Sequence, residues 1–157
     1  MSSNVHQIYL ANPATTLAST DIFYLGRSPY GLTNDMACAF STLKAAIPGA
    51  TWSEVVGTSQ AIAVNNAYIA NNAGVVTFTL PATAAVGTTF RIAGKGAGGW
   101  AIAQGAGQSI NDGSVSSTVG AGGSLASSQR YNAIELVCIT ANTTWNVISS
   151  QGNFTIV

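Results

Sequence analysis

Few residues in this chain have side chains suited to catalysis or to metal binding. The 157 residues include one histidine, His6, so any Ser-His-Asp or Cys-His arrangement would have to use it. His6 lies near the amino terminus, where chains are usually poorly fixed. Carboxylate catalysis needs two acids held close together, and calcium needs a cluster of acidic ligands. The five acids are instead spread along the chain, at Asp21, Asp35, Glu54, Asp112 and Glu135. We predict that the protein is not an enzyme and binds no metal or cofactor.

The two cysteines, Cys38 and Cys138, are far apart in the sequence and lack the close spacing of a metal site. Each lies in an apolar run that has the pattern of a strand. This setting favours two buried free thiols over a disulfide between them.

One glycine-rich segment matches a cofactor motif by letter. Residues 94–99 read GKGAGG and follow a predicted strand, as a dinucleotide-binding fingerprint should. That fingerprint also requires a helix directly after it, so that helix amides can hold the pyrophosphate. The next residues, WAIAQ at 100–104, have the pattern of a strand. We therefore interpret residues 94–99 as a glycine-rich hairpin turn.

Aromatic and basic residues offer a binding surface instead. Aromatic faces stack on the apolar side of a sugar ring, and Asn, Gln and Arg side chains bind its hydroxyls. Trp52, Trp100, Trp145, Tyr68 and Tyr131 are the candidates for such a platform, although alternation with small or polar neighbours favours the core for Trp100 and Trp145. For a ligand site we select residues near the glycine turn and one further basic–aromatic pair: Arg91, Lys95, Trp100, Arg130 and Tyr131.

The chain is nearly uncharged. Asp, Glu, Lys and Arg make up 6% of it, in equal numbers of acids and bases, where about a quarter is usual. This balance predicts no nucleic-acid partner and no attraction to an anionic membrane. No apolar run approaches the roughly 18 residues that span a bilayer, and MSSNVHQIYLANP lacks the pattern of a Sec-type signal peptide. A neutral polar surface tends to self-associate, which predicts an oligomer.

The elements that would hold these residues are mostly short strands. In residues 75–80, Val76, Phe78 and Leu80 share one face, and the same alternation recurs through residues 89–92, 100–103, 133–140 and 145–148. Gly, Asn and Asp clusters punctuate the runs. Residues 51–157 are therefore predicted to form an all-β domain, an antiparallel β-sandwich or barrel-like fold.

Residues 1–50 are predicted to form a mixed connector arm. Strand patterns occur at residues 5–10, 21–25 and 36–40, and a short helix is predicted over residues 41–47, with Ser41 as its cap. This segment has too few apolar residues to form a hydrophobic core of its own. The arm therefore needs contacts with copies of itself or with the following domain to be ordered.

Several motifs together resemble a β domain of bacteriophage tail-fibre proteins. They are TLPATAAVGTTF at residues 79–90, GAG at 96–98, GQSIN at 107–111 and NTTWNV at 142–147. Upstream, LASTDIFYL at residues 17–25 and FSTLKAAI at 40–47 resemble the short connector before such domains. Related tip domains occur in trimeric fibre-like adhesins of predatory bacteria.

The resemblance implies a homotrimer, with the arm around a three-fold axis and the β domain at the distal tip. It implies an extracellular, cell-surface or virion tail-fibre location and recognition of a host or prey surface, often of its glycans. It supplies no binding residues that can be transferred. Two functions stay open at this point. One is a fibre tip that binds a surface glycan or another receptor, and the other is a structural fibre spacer or particle decoration module that binds none.

Overall fold

The computed structural model describes residues 51–157 and, before them, only the backbone of two strands. The chain divides into two compact units, Met1–Pro48 and Gly49–Val157. In the first unit, β1 (Ile22–Leu25) pairs antiparallel with β2 (Met36–Ala39). Both strands lie within segments that the sequence predicts as strands.

Three predictions for the first unit lie outside the described residues. They are the strand at residues 5–10, the short helix at residues 41–47 and the burial of Cys38.

The second unit is built of β-strands alone, with no helix in residues 51–157. Twelve strands follow one another: β3 (Thr51–Val55), β4 (Ser59–Ala61), β5 (Asn66–Ala70), β6 (Val76–Thr79), β7 (Thr89–Gly94), β8 (Trp100–Ala103), β9 (Ser109–Asp112), β10 (Val115–Ser116), β11 (Ser124–Ser127), β12 (Ala133–Thr140), β13 (Thr144–Gln151) and β14 (Thr155–Ile156). One sheet has the order β10-β9-β13-β12-β7-β5-β3, and the other has the order β14-β11-β8-β6-β4. The two sheets share one hydrophobic core, so the all-β, sandwich-like expectation is confirmed for this unit.

The first half of this unit, β3–β8, is a coil rather than a set of hairpins. Each strand of the larger sheet is followed by a strand of the smaller sheet, and the chain then returns beside its starting strand. As a result, β3, β5 and β7 pair parallel in one sheet, and β4, β6 and β8 pair parallel in the other. The antiparallel expectation is wrong for this half, because a full turn of the coil separates neighbouring strands and makes them run in one direction.

The glycine-rich segment at residues 94–99 belongs to this coil. It connects β7 in one sheet to β8 in the other, so it is a crossover between sheets and not the hairpin turn expected from sequence. A Cβ at Gly96 would overlap the backbone of Asn72, and one at Gly98 would overlap the backbone of Gly74. The crossover is therefore stacked directly on the preceding one, at residues 71–75, and glycine is required for so close an approach.

The second half, β9–β14, is mainly antiparallel. The pair β12–β13 is a hairpin, β12 also pairs antiparallel with β7, and β11 pairs antiparallel with β8. A tight hairpin joins β9 to β10 through the predicted turn at Asp112 and Gly113, and Gly113 has a φ of 59°. The one parallel pair here is β13–β9. The antiparallel expectation is thus confirmed for most of this half.

The residues that alternate inward fill the core as predicted. The largest fully buried side chains are Trp100, Trp145, Phe78 and Phe90. Phe90 packs against Trp145 with ring centroids 5.1 Å apart in an edge-on arrangement. Cys138 is buried and free, as predicted for this thiol. Because every second residue of each long strand points into this core, the residues between them must form the outer faces.

No helix of the described residues is long and apolar enough to cross a membrane.

Candidate functional site

Charged side chains are concentrated on the outer face of the larger sheet. Residues 51–157 contain six charged residues, and four of them form two ion pairs there. Arg91 on β7 contacts Glu135 on β12, with 2.8 Å between Nη2 and Oε1. Lys95, just after β7, contacts Glu54 on β3. In a chain with so few charges, this grouping marks the face as unlike the rest of the surface.

The strand register aligns Arg91 and Glu135 with an exposed aromatic side chain. Trp52 on β3 lies opposite Ala67 on β5, and Ala67 lies opposite Arg91. The row continues through Glu135 to Ser149 on β13. Trp52 is 50% exposed, whereas Ala67 is fully buried between its larger neighbours. In the register, Trp52 and the ion pair therefore stand on either side of Ala67.

A second row of the same face is made largely of small or neutral residues. Ile69, Ala93 and Ala133 follow one another in register, and Gln151 on β13 continues the row. On this face lies a depression of about 180 Å³. It is lined by Trp52, Arg91, Ile92, Ala133, Ile134, Glu135, Ser149, Ser150 and Gln151. We define the outer-face site as the aromatic and polar members of this lining that share the outward strand phase: Trp52, Arg91, Glu135, Ser149 and Gln151.

Each ion pair favours the charged form of one of its members. The hydrogen bond and the charge of Lys95 lower the pKa of Glu54, and a hydrogen bond from Asn71 adds to this effect. The hydrogen bond and the charge of Glu135 raise the pKa of Arg91 above the ordinary value of an arginine. Each cation is thus matched by one carboxylate, so the charges on this face sum to zero.

Two of the five residues selected from sequence lie on this face. Arg91 lines the depression, and Lys95 forms the second ion pair. The structure does not bring the other three to the site.

Trp100 is fully buried. Its Nε1 donates a hydrogen bond to the Asn132 carbonyl oxygen at 3.2 Å, and its ring packs on Phe154. The ring of Trp100 is therefore not accessible to a ligand, and the prediction that Trp100 belongs to the ligand site is wrong. The core position that the sequence alternation predicts for Trp100 is confirmed.

Arg130 and Tyr131 lie in the turn between β11 and β12, and both are exposed. Tyr131 is 70% exposed and has a φ of 66°. Neither residue lines the depression. They are a basic and an aromatic residue on the same domain but outside the outer-face site, which makes them useful controls.

Four residues of the outer-face site are absent from the sequence-based selection. Trp52 is among the candidates for a sugar platform, and its outward position follows from the alternation of β3. Glu135 is the one acid in an apolar strand, at the same outward phase as Arg91 on β7, which is a signal that sequence reasoning could have used. Ser149 and Gln151 follow a β-bulge, where one extra residue, Ile148, shifts the alternation of β13. A strict two-residue period therefore misplaces them.

A second, larger hollow has a different character. It has a volume of about 570 Å³ and is lined by Val64, Asn65, Thr83, Ala84, Ala85, Thr88, Ala141 and Asn142. It contains no charged or aromatic side chain, so it offers a ligand little beyond alkyl, hydroxyl and amide contacts. Among the residues described, no three His, Cys, Asp or Glu side chains lie close enough together to hold a metal ion.

The chain matches no protein-family model, and a search of curated proteins finds no relative at a significant level.

Proposed function

We propose that this chain is the glycan-binding tip of a trimeric fibre, acting at a cell surface or on a virion, and that it binds without catalysis. The observation that supports this proposal most is the outer-face site. There an exposed Trp52 and the Arg91–Glu135 ion pair line the same depression on the larger sheet.

The chemistry of the outer-face site suits a sugar ring. One face of a pyranose is made of C–H groups and stacks on an aromatic ring such as Trp52. Its rim consists of hydroxyls that both donate and accept hydrogen bonds. Arg91 offers guanidinium donors, Glu135 offers carboxylate acceptors, and the side chains of Ser149 and Gln151 offer both. Binding on a sheet rather than a loop also favours a preformed site.

A non-catalytic role is supported by the state of the two carboxylates nearest the site. A general acid at neutral pH needs a raised pKa, which burial or a neighbouring acid would provide. Glu54 has a lowered pKa instead, because Lys95 pairs with it. Glu135 is committed to Arg91. Each carboxylate has a cationic partner, which suits hydrogen bonding to a ligand better than proton transfer.

Trimeric assembly is supported by composition and by exposed apolar side chains. Charged residues are 6% of the chain, and ten large apolar or aromatic residues besides Trp52 are exposed in the described unit. Contacts between copies would cover part of this surface, and three weak sites on one fibre would act together. Light scattering of the full chain at micromolar concentration should give three times the monomer mass, 15.9 kDa. A monomeric mass would refute the trimer.

Binding is tested by a glycan array with the full chain and two aromatic variants. Trp52→Ala removes the exposed ring from the site, whereas Tyr131→Ala removes an exposed ring outside it. We expect wild type and Tyr131→Ala to bind the same glycans and Trp52→Ala to lose at least tenfold in signal. Absence of binding by wild type, or equal binding by all three proteins, would contradict the proposal.

A structural spacer without a receptor is the second candidate, and the coil of β3–β8 favours it. Within the described residues, β3 and β4 each pair on one side only, so both sheets have an open edge at the same end of the coil. Stacked coils of this kind can build long shafts. The two functions can be distinguished by deleting residues 51–157 from the fibre or particle that displays the chain and measuring its attachment to target cells. Lost attachment to target cells supports the tip, and full attachment supports the spacer.

A further inference from the structure

The outer-face site contains two charges of opposite sign and no excess of either. Arg91 and Glu135 pair directly, and the neighbouring Lys95 and Glu54 cancel as well. Sites that recognise anionic sugars need a cation that is not already matched by a carboxylate. From this balance we propose that the outer-face site selects neutral sugars with adjacent hydroxyls and rejects uronic, sialic and sulfated ones. The inference rests on the proposed glycan-binding function and specifies its ligand class.

The ion pair leaves hydrogen-bonding capacity on both partners. A guanidinium has five N–H donors and a carboxylate about four acceptor positions, and the 2.8 Å contact between Arg91 Nη2 and Glu135 Oε1 uses one of each. Among the described residues, Arg91 and Glu135 have each other as their side-chain partner. A charged donor therefore stands directly beside a charged acceptor, both facing outward.

Two neighbouring hydroxyls of a sugar ring fit this pair. One hydroxyl oxygen accepts from the Arg91 guanidinium, and the adjacent hydroxyl donates to the Glu135 carboxylate. Hydrogen bonds to charged groups are the stronger kind, so this pairing gives both affinity and orientation. A single hydroxyl could also accept from one partner and donate to the other, but two adjacent hydroxyls make these two hydrogen bonds without one oxygen having to reach both charged groups.

The size of the depression limits what it can hold. Its 180 Å³ is smaller than the roughly 300–1,000 Å³ of pockets for drug-sized ligands. Trp52 bounds one side and the ion pair the other, with Ala67 between them in the register. One sugar ring lying against Trp52 fits this space, while the rest of a glycan chain extends over the open face.

An added negative charge on the sugar would meet Glu135. A carboxylate or sulfate group near Arg91 also lies near its partner, so attraction to one is offset by repulsion from the other. Desolvating the anion then has no compensating ion pair. The same balance makes binding of a neutral sugar insensitive to salt, because no net charge is screened.

The test compares sugars that differ by charge at one position. The full chain is titrated with methyl glucoside and with methyl glucuronide, and with methyl galactoside and its 6-sulfate, using chemical-shift changes in NMR. We expect at least one neutral sugar to bind tenfold or more tightly than its charged counterpart. That affinity should change less than twofold between about 0.05 and 0.5 M NaCl. A deoxy analogue that lacks one of the two adjacent hydroxyls should bind at least fivefold more weakly.

Two acid variants locate the source of the preference. Glu135→Gln keeps the side-chain shape and leaves Arg91 unmatched, so the preference for the neutral sugar should shrink at least fivefold or reverse. Asp112→Asn removes a carboxylate from the β9–β10 turn and should leave the preference unchanged. Equal shrinkage in both variants would overturn the assignment to Glu135.

The outcomes separate the inference from the function beneath it. Tight binding of a charged sugar by wild type, with weak binding of its neutral counterpart, overturns the neutral preference and leaves glycan binding standing. Salt-sensitive binding of the neutral sugar also overturns it, and this measurement needs no variant. Absence of binding to every sugar and to the glycan array overturns the proposed function together with the inference.

Discussion

The two halves of the β unit hold their turns together in different ways. In the coiled half, β3–β8, successive crossovers stack backbone on backbone, which Gly96 and Gly98 permit by lacking a side chain. Asn72 adds one side-chain link, because its Nδ2 donates to the Val56 carbonyl oxygen of the previous crossover. In the antiparallel half, β9–β14, buried amide side chains tie distant loops together instead.

Gln104 and Gln108 are the main links of the second half. Gln104 Nε2 donates to the carbonyl oxygens of Gln108, Thr118 and Gly120. Gln108 Nε2 donates to those of Pro81 and Asn142, at 2.8 and 3.1 Å. The comparison teaches that stacking of successive crossovers distinguishes the coil, whereas the irregular loops of the second half depend more on buried side-chain amides. The two halves should therefore fail under different kinds of substitution.

The largest loss of stability is expected from a substitution in the coil. Gly98→Ala places a Cβ inside the backbone of Gly74, which cannot yield as a flexible side chain would. We expect a loss of about 3 kcal/mol or more in the free energy of unfolding, measured with urea. Gly57→Ala is the matched control in the same half, since a Cβ added there would have nothing within 4 Å of it. Equal stability of the two variants would contradict the stacking of crossovers.

A smaller effect is expected in the antiparallel half. Gln108→Leu keeps the volume but leaves the Pro81 and Asn142 carbonyls without this donor. The unfolding free energy should fall by about 2 kcal/mol, the scale of buried polar groups that lose their partner. Gln129→Leu, at an exposed position, should change it by less than about 0.5 kcal/mol. If the two leucine variants were equally stable, the amide links would not hold this half together.

The smallest effect expected is the pH-dependent stability contributed by the Lys95–Glu54 ion pair in the coil. Lys95 lowers the pKa of Glu54 in the folded state, so the pair contributes stability above the ordinary glutamate pKa of about 4.3. That contribution is lost as the pH falls through the lowered value. Stability curves of wild type and Glu54→Gln should therefore run parallel from pH 6 to 8 and converge below about pH 4. A constant difference down to pH 3 would show that the pair adds nothing.

The strands themselves are predictable from sequence, whereas their neighbours in the sheets are not. Alternation places Phe78, Ile92 and Leu136 in the core, because the period of two is set by the strand backbone. Gly and Asn clusters occur both in hairpin turns and in crossovers between sheets. The sequence of residues 94–99 therefore does not indicate whether the next strand joins the same sheet or the other one. Parallel pairing in the coil therefore escapes prediction.

The outer-face site is only partly accessible to sequence reasoning for a related reason. Arg91 is selected for its setting beside the glycine-rich segment, but its partner Glu135 lies on a strand that pairs with β7 from far along the chain. Trp100 is selected for its closeness in sequence to Lys95, and the crossover sends it into the core of the other sheet. Nearness along the chain misleads because consecutive strands of the coil belong to different sheets.

The outer-face site draws its members from β3, β7, β12 and β13, each at a position that alternates away from the core. Randomising Trp52, Arg91, Glu135, Ser149 and Gln151 would therefore alter what the protein recognises with little effect on what makes it fold. A display library built on these five codons should contain many stable members with new targets. Strand alternation would in that case make the domain a scaffold for engineered binders, retargeted by exchanging a handful of side chains.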